Sequence, residues 1–128
     1  MTGGHWLIDG MNLIGSRPDG WWRDRGRAIR ELIGDLEDHA RRTGEPITVV
    51  FDFRPQGLRV GTSGGIKVRF ADGGSQAADR MIADMVHEHP DPHTLTVVTS
   101  DRPLGQLVEA AGAEVVGAGT FRRHLEER

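Results

Sequence analysis

Three apolar runs of this chain close on an aspartate: "HWLID" at Asp9, "ITVVFD" at Asp52 and "LTVVTSD" at Asp101. A fourth carboxylate, Asp79, falls in the first turn of a helix expected over 76–88. If the apolar runs are neighbouring parallel strands, their C-terminal ends share one sheet edge, and ligands bind outside that edge where the strand order reverses. Carboxylates crowded there repel one another, so they hold protons to higher pH or recruit a cation. A hard divalent ion such as Mg²⁺ suits an all-oxygen donor set. Asn12, three residues after Asp9 in "LIDGMNLIG", adds a neutral amide able to orient water, phosphate or the Asp9 carboxylate. Carboxylates with a metal, and no serine–histidine motif, favour phosphoester chemistry over acyl transfer.

Each aspartate also has a plain structural reading. Asp101 ahead of "RPLGQLV" can cap a helix that has Pro103 in its first turn. Asp79 can serve only as a partner of the helix dipole. Asp52 before "FRP" can be a turn residue. Their joint placement after successive strands favours the shared acidic site.

The elements that must position these groups alternate. Strands are expected at 5–9, 47–51 and 94–100, each nearly continuous in apolar residues, with a last short strand in "AEVVGA". Helical spacing covers 21–43 through Trp22, Gly26, Ile29, Ile33, Leu36 and Ala40, with Asp19 as cap and Gly44 as stop. Ser75 caps the helix over 76–88, whose inward residues are Ala78, Met81, Ile82, Met85 and Val86. Leu104, Leu107, Val108 and Ala111 mark another helix, and 119–127 a terminal one. "RPQGLRVGTSGG" (54–65) reads as a mobile surface loop, and "IKVRF" (66–70) as an edge strand with one wet face. Buried strands separated by helices predict a single α/β domain over 1–128: three layers, Rossmann-like, with a mainly parallel sheet covered on both faces.

Composition narrows the classes. A length of 128 residues suits one domain. A net charge of -3 argues neither for nor against nucleic acid, and the absence of cysteine excludes disulfides and thiolate metal sites. There is neither a basic-then-apolar leader nor an apolar run near the ~20 residues of a membrane span, so a cytoplasmic protein without a membrane partner is expected. Arg23, Arg25, Arg27 and Arg30 sit among acids, which makes a mixed-charge face their default, yet they and Arg54, Arg59, Lys67 and Arg69 could flank the crevice and hold phosphates. "HEHPDPH" looks metal-like, but His87 and His89 diverge at helical spacing and the stretch reads as a polar loop. Trp21 and Trp22 offer one stacking face, with one of the two in the core.

"LIDGMNLIG", "VVFDFRP", "GGIKVRFADGGSQAADRMI" and "VVTSDRPLG" together resemble the NYN domains of the PIN-like nuclease superfamily, in particular the YacP-like branch. That resemblance runs in order from about Trp6 to Leu107. It implies a Rossmann-like sheet, an acidic cluster binding Mg²⁺ or Mn²⁺, and endoribonuclease activity leaving a 5′-phosphate and a 3′-hydroxyl. By position, Asp9, Asp79 and Asp101 match the acidic core, Asn12 the first motif's asparagine, and Ser100 the hydroxyl before the last aspartate. Asp52 matches the aspartate that closes the second strand. One departure stands out: where similar domains often read "ADD", this chain has Arg80 after Asp79. Pairing of Arg80 with Asp84 at i and i+4 would turn it away from the site. The rival expectations are a catalytically silent RNA-binding or ribosome-associated module and, far behind, a small-substrate phosphatase, because Met11 stands where a haloacid-dehalogenase-type site wants a second aspartate.

Overall fold

A computed structural model describes residues 4–16, 20–58, 61–74 and 76–127. The elements in order are β1 (His5–Asp9), α1 (Gly10–Gly15), a 3-10 turn (Trp21–Arg23), α2 (Arg25–Thr43), β2 (Ile47–Phe51), β3 (Gly61–Ser63), β4 (Ile66–Phe70), α3 (Ala77–Glu88), a 3-10 turn (Pro92–Thr94), β5 (Leu95–Val98), α4 (Arg102–Ala110), β6 (Glu114–Val116) and α5 (Ala118–Glu126). The sheet runs β3-β4-β2-β1-β5-β6, parallel throughout except for β3, which is antiparallel to β4. The α/β three-layer architecture is as expected.

The apolar strands separate two cores because alternate side chains point to opposite faces. Ile8, Val49, Phe51, Val68 and Val98 pack with Ile29, Leu32 and Leu36 of α2 and Phe121 of α5. Leu7, Val50 and Val97 pack with Ile82 and Val86 of α3 and with Leu104 and Val108 of α4. The central strand β1 has β2 on one side and β5 on the other. The chain therefore builds outward in both directions from β1, and the reversal lies beside its C-terminal end, at Asp9.

Four expectations are corrected. Residues 21–43 are not one helix: α2 starts at Arg25, because the Asp24 carboxylate accepts from the Arg27 N–H at 3.0 Å and its backbone (φ -152°) leaves the helix. Trp22 accordingly stands outside the buried stripe, 58% exposed, while Trp21 packs against the core. Within 54–65, Gly61–Ser63 form a strand, joined to β4 through Gly64 and Gly65 at positive φ (54° and 90°), the backbone that a two-residue hairpin turn needs. β4 is thus covered by β3 and is not the edge, although one of its faces is wet as expected: Ile66 and Val68 are buried, Lys67 and Arg69 exposed. Leu107, assigned to an apolar stripe, is 61% exposed. The short helix α1 was not expected at all. The caps assigned to Asp19 and Ser75 lie outside the described residues.

No helix among the described residues is long and apolar enough to cross a membrane.

Candidate active site

Asp9 ends β1, caps α1 and is 5% exposed. Its Oδ1 accepts from the Asn12 N–H at 3.4 Å, and its Oδ2 accepts from the Thr99 hydroxyl at 3.1 Å. The Thr99 hydroxyl oxygen in turn accepts from the Asp101 N–H at 3.1 Å. Asp101 caps α4 by accepting from the Leu104 N–H at 3.0 Å, which fixes its carboxylate at the helix start. The structural reading of Asp101 as a cap and its place in the acidic cluster are compatible, since a cap occupies one of its two oxygens.

Asp79 enters from the opposite wall. It sits in the first turn of α3, and α3 packs against α4. A groove of about 370 Å³ runs between these helices, lined by Asp79, Arg80 and Ala83 from α3 and by Asp101, Leu104 and Leu107 from the α4 side. Asp9 lies beneath, outside the groove lining. Asp52, just past β2, is half-buried.

Electrostatics tie the four carboxylates together. Burial, with the charges of Asp79 and Asp101, raises the Asp9 pKa to about 6 against the opposing hydrogen bonds from Thr99 and Asn12. Burial, then the Asp101 and Asp52 charges, raises that of Asp79, with Arg80 opposing. Burial raises that of Asp52, with Arg25 opposing. Such mutual repulsion in a partly buried site is the condition that a divalent cation relieves. Arg80 makes no ion pair with Asp84 among the described residues; it lines the groove and its charge acts on Asp79. The expectation that it turns away is corrected, because the groove lies along the helix face that carries Asp79, Arg80, Ala83 and Asp84 together.

Asn12 Oδ1 accepts from the Ser100 N–H at 2.7 Å, joining α1 to the loop after β5. The Ser100 hydroxyl oxygen accepts from the Ala118 N–H at 2.9 Å, so it is directed at the start of α5. Thr99 was overlooked in favour of Ser100. The available signal was a polar side chain closing an apolar strand, here 2% exposed and bonded to Asp9.

The basic residues are less tightly gathered. Arg69 shares a register row with Val50 and Asp9, placing it on the same sheet face two strands over, about 10 Å away at ordinary strand spacing. Lys67 lies two rows further from the edge, beside Thr48 and Leu7. Both line a hollow of about 330 Å³ with His5, Met85 and His89. The Arg54 guanidinium donates to the Leu58 carbonyl at 2.8 Å and lies 5.8 Å from the Phe70 ring centre. Arg59 falls outside the described residues. Arg25, expected on a mixed-charge face that could also flank the crevice, opposes the rise of the Asp52 pKa by its charge and stacks over Phe53 at 4.7 Å.

Replacing Thr99 with valine should test this network. It removes the hydroxyl from both Asp9 and the Asp101 N–H, so the fold should lose about 1–3 kcal/mol in urea unfolding. A carbon-13 carboxyl titration of the metal-free protein should then place the Asp9 midpoint above that of the parent. An unchanged midpoint would remove Thr99 from the site.

The family model described as "YacP-like NYN domain" matches residues 6–128. Among solved structures, that of Rae1 (YacP) from Bacillus subtilis, W164L mutant, superposes with a TM-score of 0.78 at 25% identity, covering 96% of this chain and 75% of that one. A second structure of Rae1 (YacP) from Bacillus subtilis gives 0.77 at 24% identity, covering 95% and 73%. None of the curated proteins compared with the chain matches it.

Proposed function

Because the chain belongs to the YacP-like NYN domain family, a family of nucleases, we propose that it is a metal-dependent endoribonuclease acting at the acidic crevice. The carrying observation is the meeting of the Asp9, Asp79 and Asp101 charges beside the strand-order reversal, where burial together with those charges raises the Asp9 pKa to about 6. The donors are all oxygen, half-buried and mutually repulsive, which fits Mg²⁺ or Mn²⁺. Such an ion, held by Asp9, Asp79 and Asp101 with Asp52 at the rim, would supply a water acidic enough to attack and the charge that offsets the developing oxyanion.

This chain's own residues do the rest. Asp9 is held as an acceptor by Thr99 and the Asn12 N–H, and Asp101 is fixed by its cap, so neither carboxylate needs to reorganise. With its carboxamide oxygen taken by the Ser100 N–H, Asn12 has its amide N–H donors left for a phosphate oxygen or water. Ser100 keeps a hydroxyl proton to donate, since its oxygen is the acceptor in its bond to Ala118. Arg69 and Lys67 continue on the same sheet face and, with Arg54 and Arg59, would hold the strand by its phosphates. Water attacks phosphorus in line, the bond to the 3′ oxygen breaks, and the products carry a 5′-phosphate and a 3′-hydroxyl. A reducing compartment suits a chain without cysteine, so the cytoplasm is the proposed location.

Arg80 favours a second reading. Its cation beside Asp79 partly replaces the charge a metal would bring, which suits a silent RNA-binding or ribosome-associated module. End-labelled structured and single-stranded RNAs incubated with Mg²⁺, Mn²⁺ or EDTA separate the two. Metal-dependent cleavage that falls at least about 100-fold in Asp101→Asn supports the nuclease. Salt-sensitive binding with no cleavage in either metal supports the second reading.

A further inference from the structure

A second polar cluster lies at the other end of the sheet and on its other face. His39 in the last turns of α2, Glu45 just beyond Gly44 and His124 on α5 bring their ligand atoms within 4.8 Å of one another. His39 Nε2 is 2.7 Å from Glu45 Oε1, and His124 Nε2 is 3.6 Å from the same oxygen. The Trp6 indole N–H also donates to that oxygen, at 3.0 Å. His39 is 2% exposed. The two imidazole rings stand 4.9 Å apart, walled by Trp6 and Phe121.

We infer that His39, Glu45 and His124 form a binding site for a zinc-class transition-metal ion that clamps α5 to α2. An ion pair between His39 and Glu45 accounts for only part of the arrangement. It leaves His124 Nε2 buried, aimed at the carboxylate and without a hydrogen bond, the stretched 3.6 Å approach being too long for one. An orphaned buried nitrogen facing a carboxylate oxygen is costly, and a cation between them removes the cost. Around a tetrahedral ion with ligands at ~2.0–2.2 Å, neighbouring donor atoms lie roughly 3.3–3.5 Å apart, between the two separations seen here. Two imidazoles and one carboxylate suit zinc rather than the hard, oxygen-seeking Mg²⁺, and three protein ligands leave one position for water. Trp6 steadies the carboxylate as outer partners of such sites do, and the Glu127 carboxylate adds negative charge 4.0 Å from His124 Nδ1. His39 Nδ1 is without a partner with or without the ion. The inference does not depend on nuclease activity.

The test uses the whole chain, stripped with EDTA and returned to buffer containing excess Mg²⁺ to occupy the acidic crevice. Zinc is added and removed from solution by gel filtration, and the protein-bound metal is counted by mass spectrometry. One zinc per chain, a melting temperature raised by several degrees, and visible absorption of a four-coordinate ion when Co²⁺ replaces zinc are expected. Asp9→Asn should keep all three. Glu45→Gln and His124→Ala should lose them; His124 is the safer truncation because its side chain is 36% exposed. Zinc retention unchanged in both variants, loss only in Asp9→Asn, or no zinc retained by the folded parent would each overturn the site.

Discussion

Asp9→Asn should abolish metal-dependent RNA cleavage, by about 1000-fold or more, and at the same time make the metal-free protein more stable at about pH 8. The two effects share one cause. Asp9 is buried and its pKa stands at about 6 in the fold, above the value near 3.8 of a free side chain. A raised folded-state pKa favours folding while the group is protonated. That contribution is complete below about pH 4 and is lost as the pH rises through about 6. Above that range the ionised carboxylate opposes folding by roughly 2–3 kcal/mol, the equivalent of about two pKa units. Asparagine removes the charge but returns a poorer acceptor set to Thr99 and the Asn12 N–H, so a net gain of about 1–2 kcal/mol is expected. Melting curves in EDTA at about pH 8 and pH 4 check this: the gain should be present at the higher pH and absent at the lower. Equal stability of parent and variant at about pH 8 would mean that Asp9 is not under the strain described, and retained cleavage would remove it from the chemistry.

The other large effect is structural and falls on the neighbouring residue. A Cβ on Gly10 would lie 2.4 and 2.5 Å from two ring carbons of Phe51 and 3.0 Å from the Val50 carbonyl oxygen. Phe51 is fully buried and stacked on Phe70 at 5.7 Å, so its ring has no room to withdraw. Gly10→Ala should therefore cost about 3 kcal/mol or more, a fall of roughly 10 °C in melting temperature. Adding Phe51→Leu should recover part of the loss, since the two changes share one contact. A Gly10→Ala protein melting like its parent would refute the clash. Gly10 is thus required at the Asp9–Gly10 step by the approach of a strand side chain, and not by its backbone angles.

How far the sequence carried this reading follows from the kind of signal each feature leaves. The three aspartates were legible because buried parallel strands are short apolar runs and the residue closing each one must stand at the shared edge. Asp79 was legible because helix starts return to that edge. The helix α1 was not, since six residues offer less than two turns of periodicity. The strand Gly61–Ser63 was hidden in a glycine-rich stretch whose pairing is decided by the partner β4. Thr99 lost to Ser100 because a sequence does not say which of two adjacent hydroxyls just past a strand's end faces inward. Of the histidines, the clustered ones were legible as a polar loop and the pair that meets was not. The dense "HEHPDPH" is a surface segment in which His89 Nδ1 accepts from the Asp91 N–H and His93 pairs with Asp91. His39 and His124, far apart in the chain and unremarkable in their own contexts, are the two that meet.

The bond from Thr99 to Asp9 has a temporal side. Thr99, the hydroxyl partner of Asp9, is made 90 residues after it. β5 must then slot against β1, in the middle of the sheet, before that bond can close. Until it does, Asp101 has no fixed place and the carboxylates are scattered along an unfinished chain. The acidic crevice is therefore complete only once β5 has joined the sheet. A fragment ending before β5 carries α1, α2 and α3 but neither Thr99 nor Asp101, so it should hold no assembled acidic crevice.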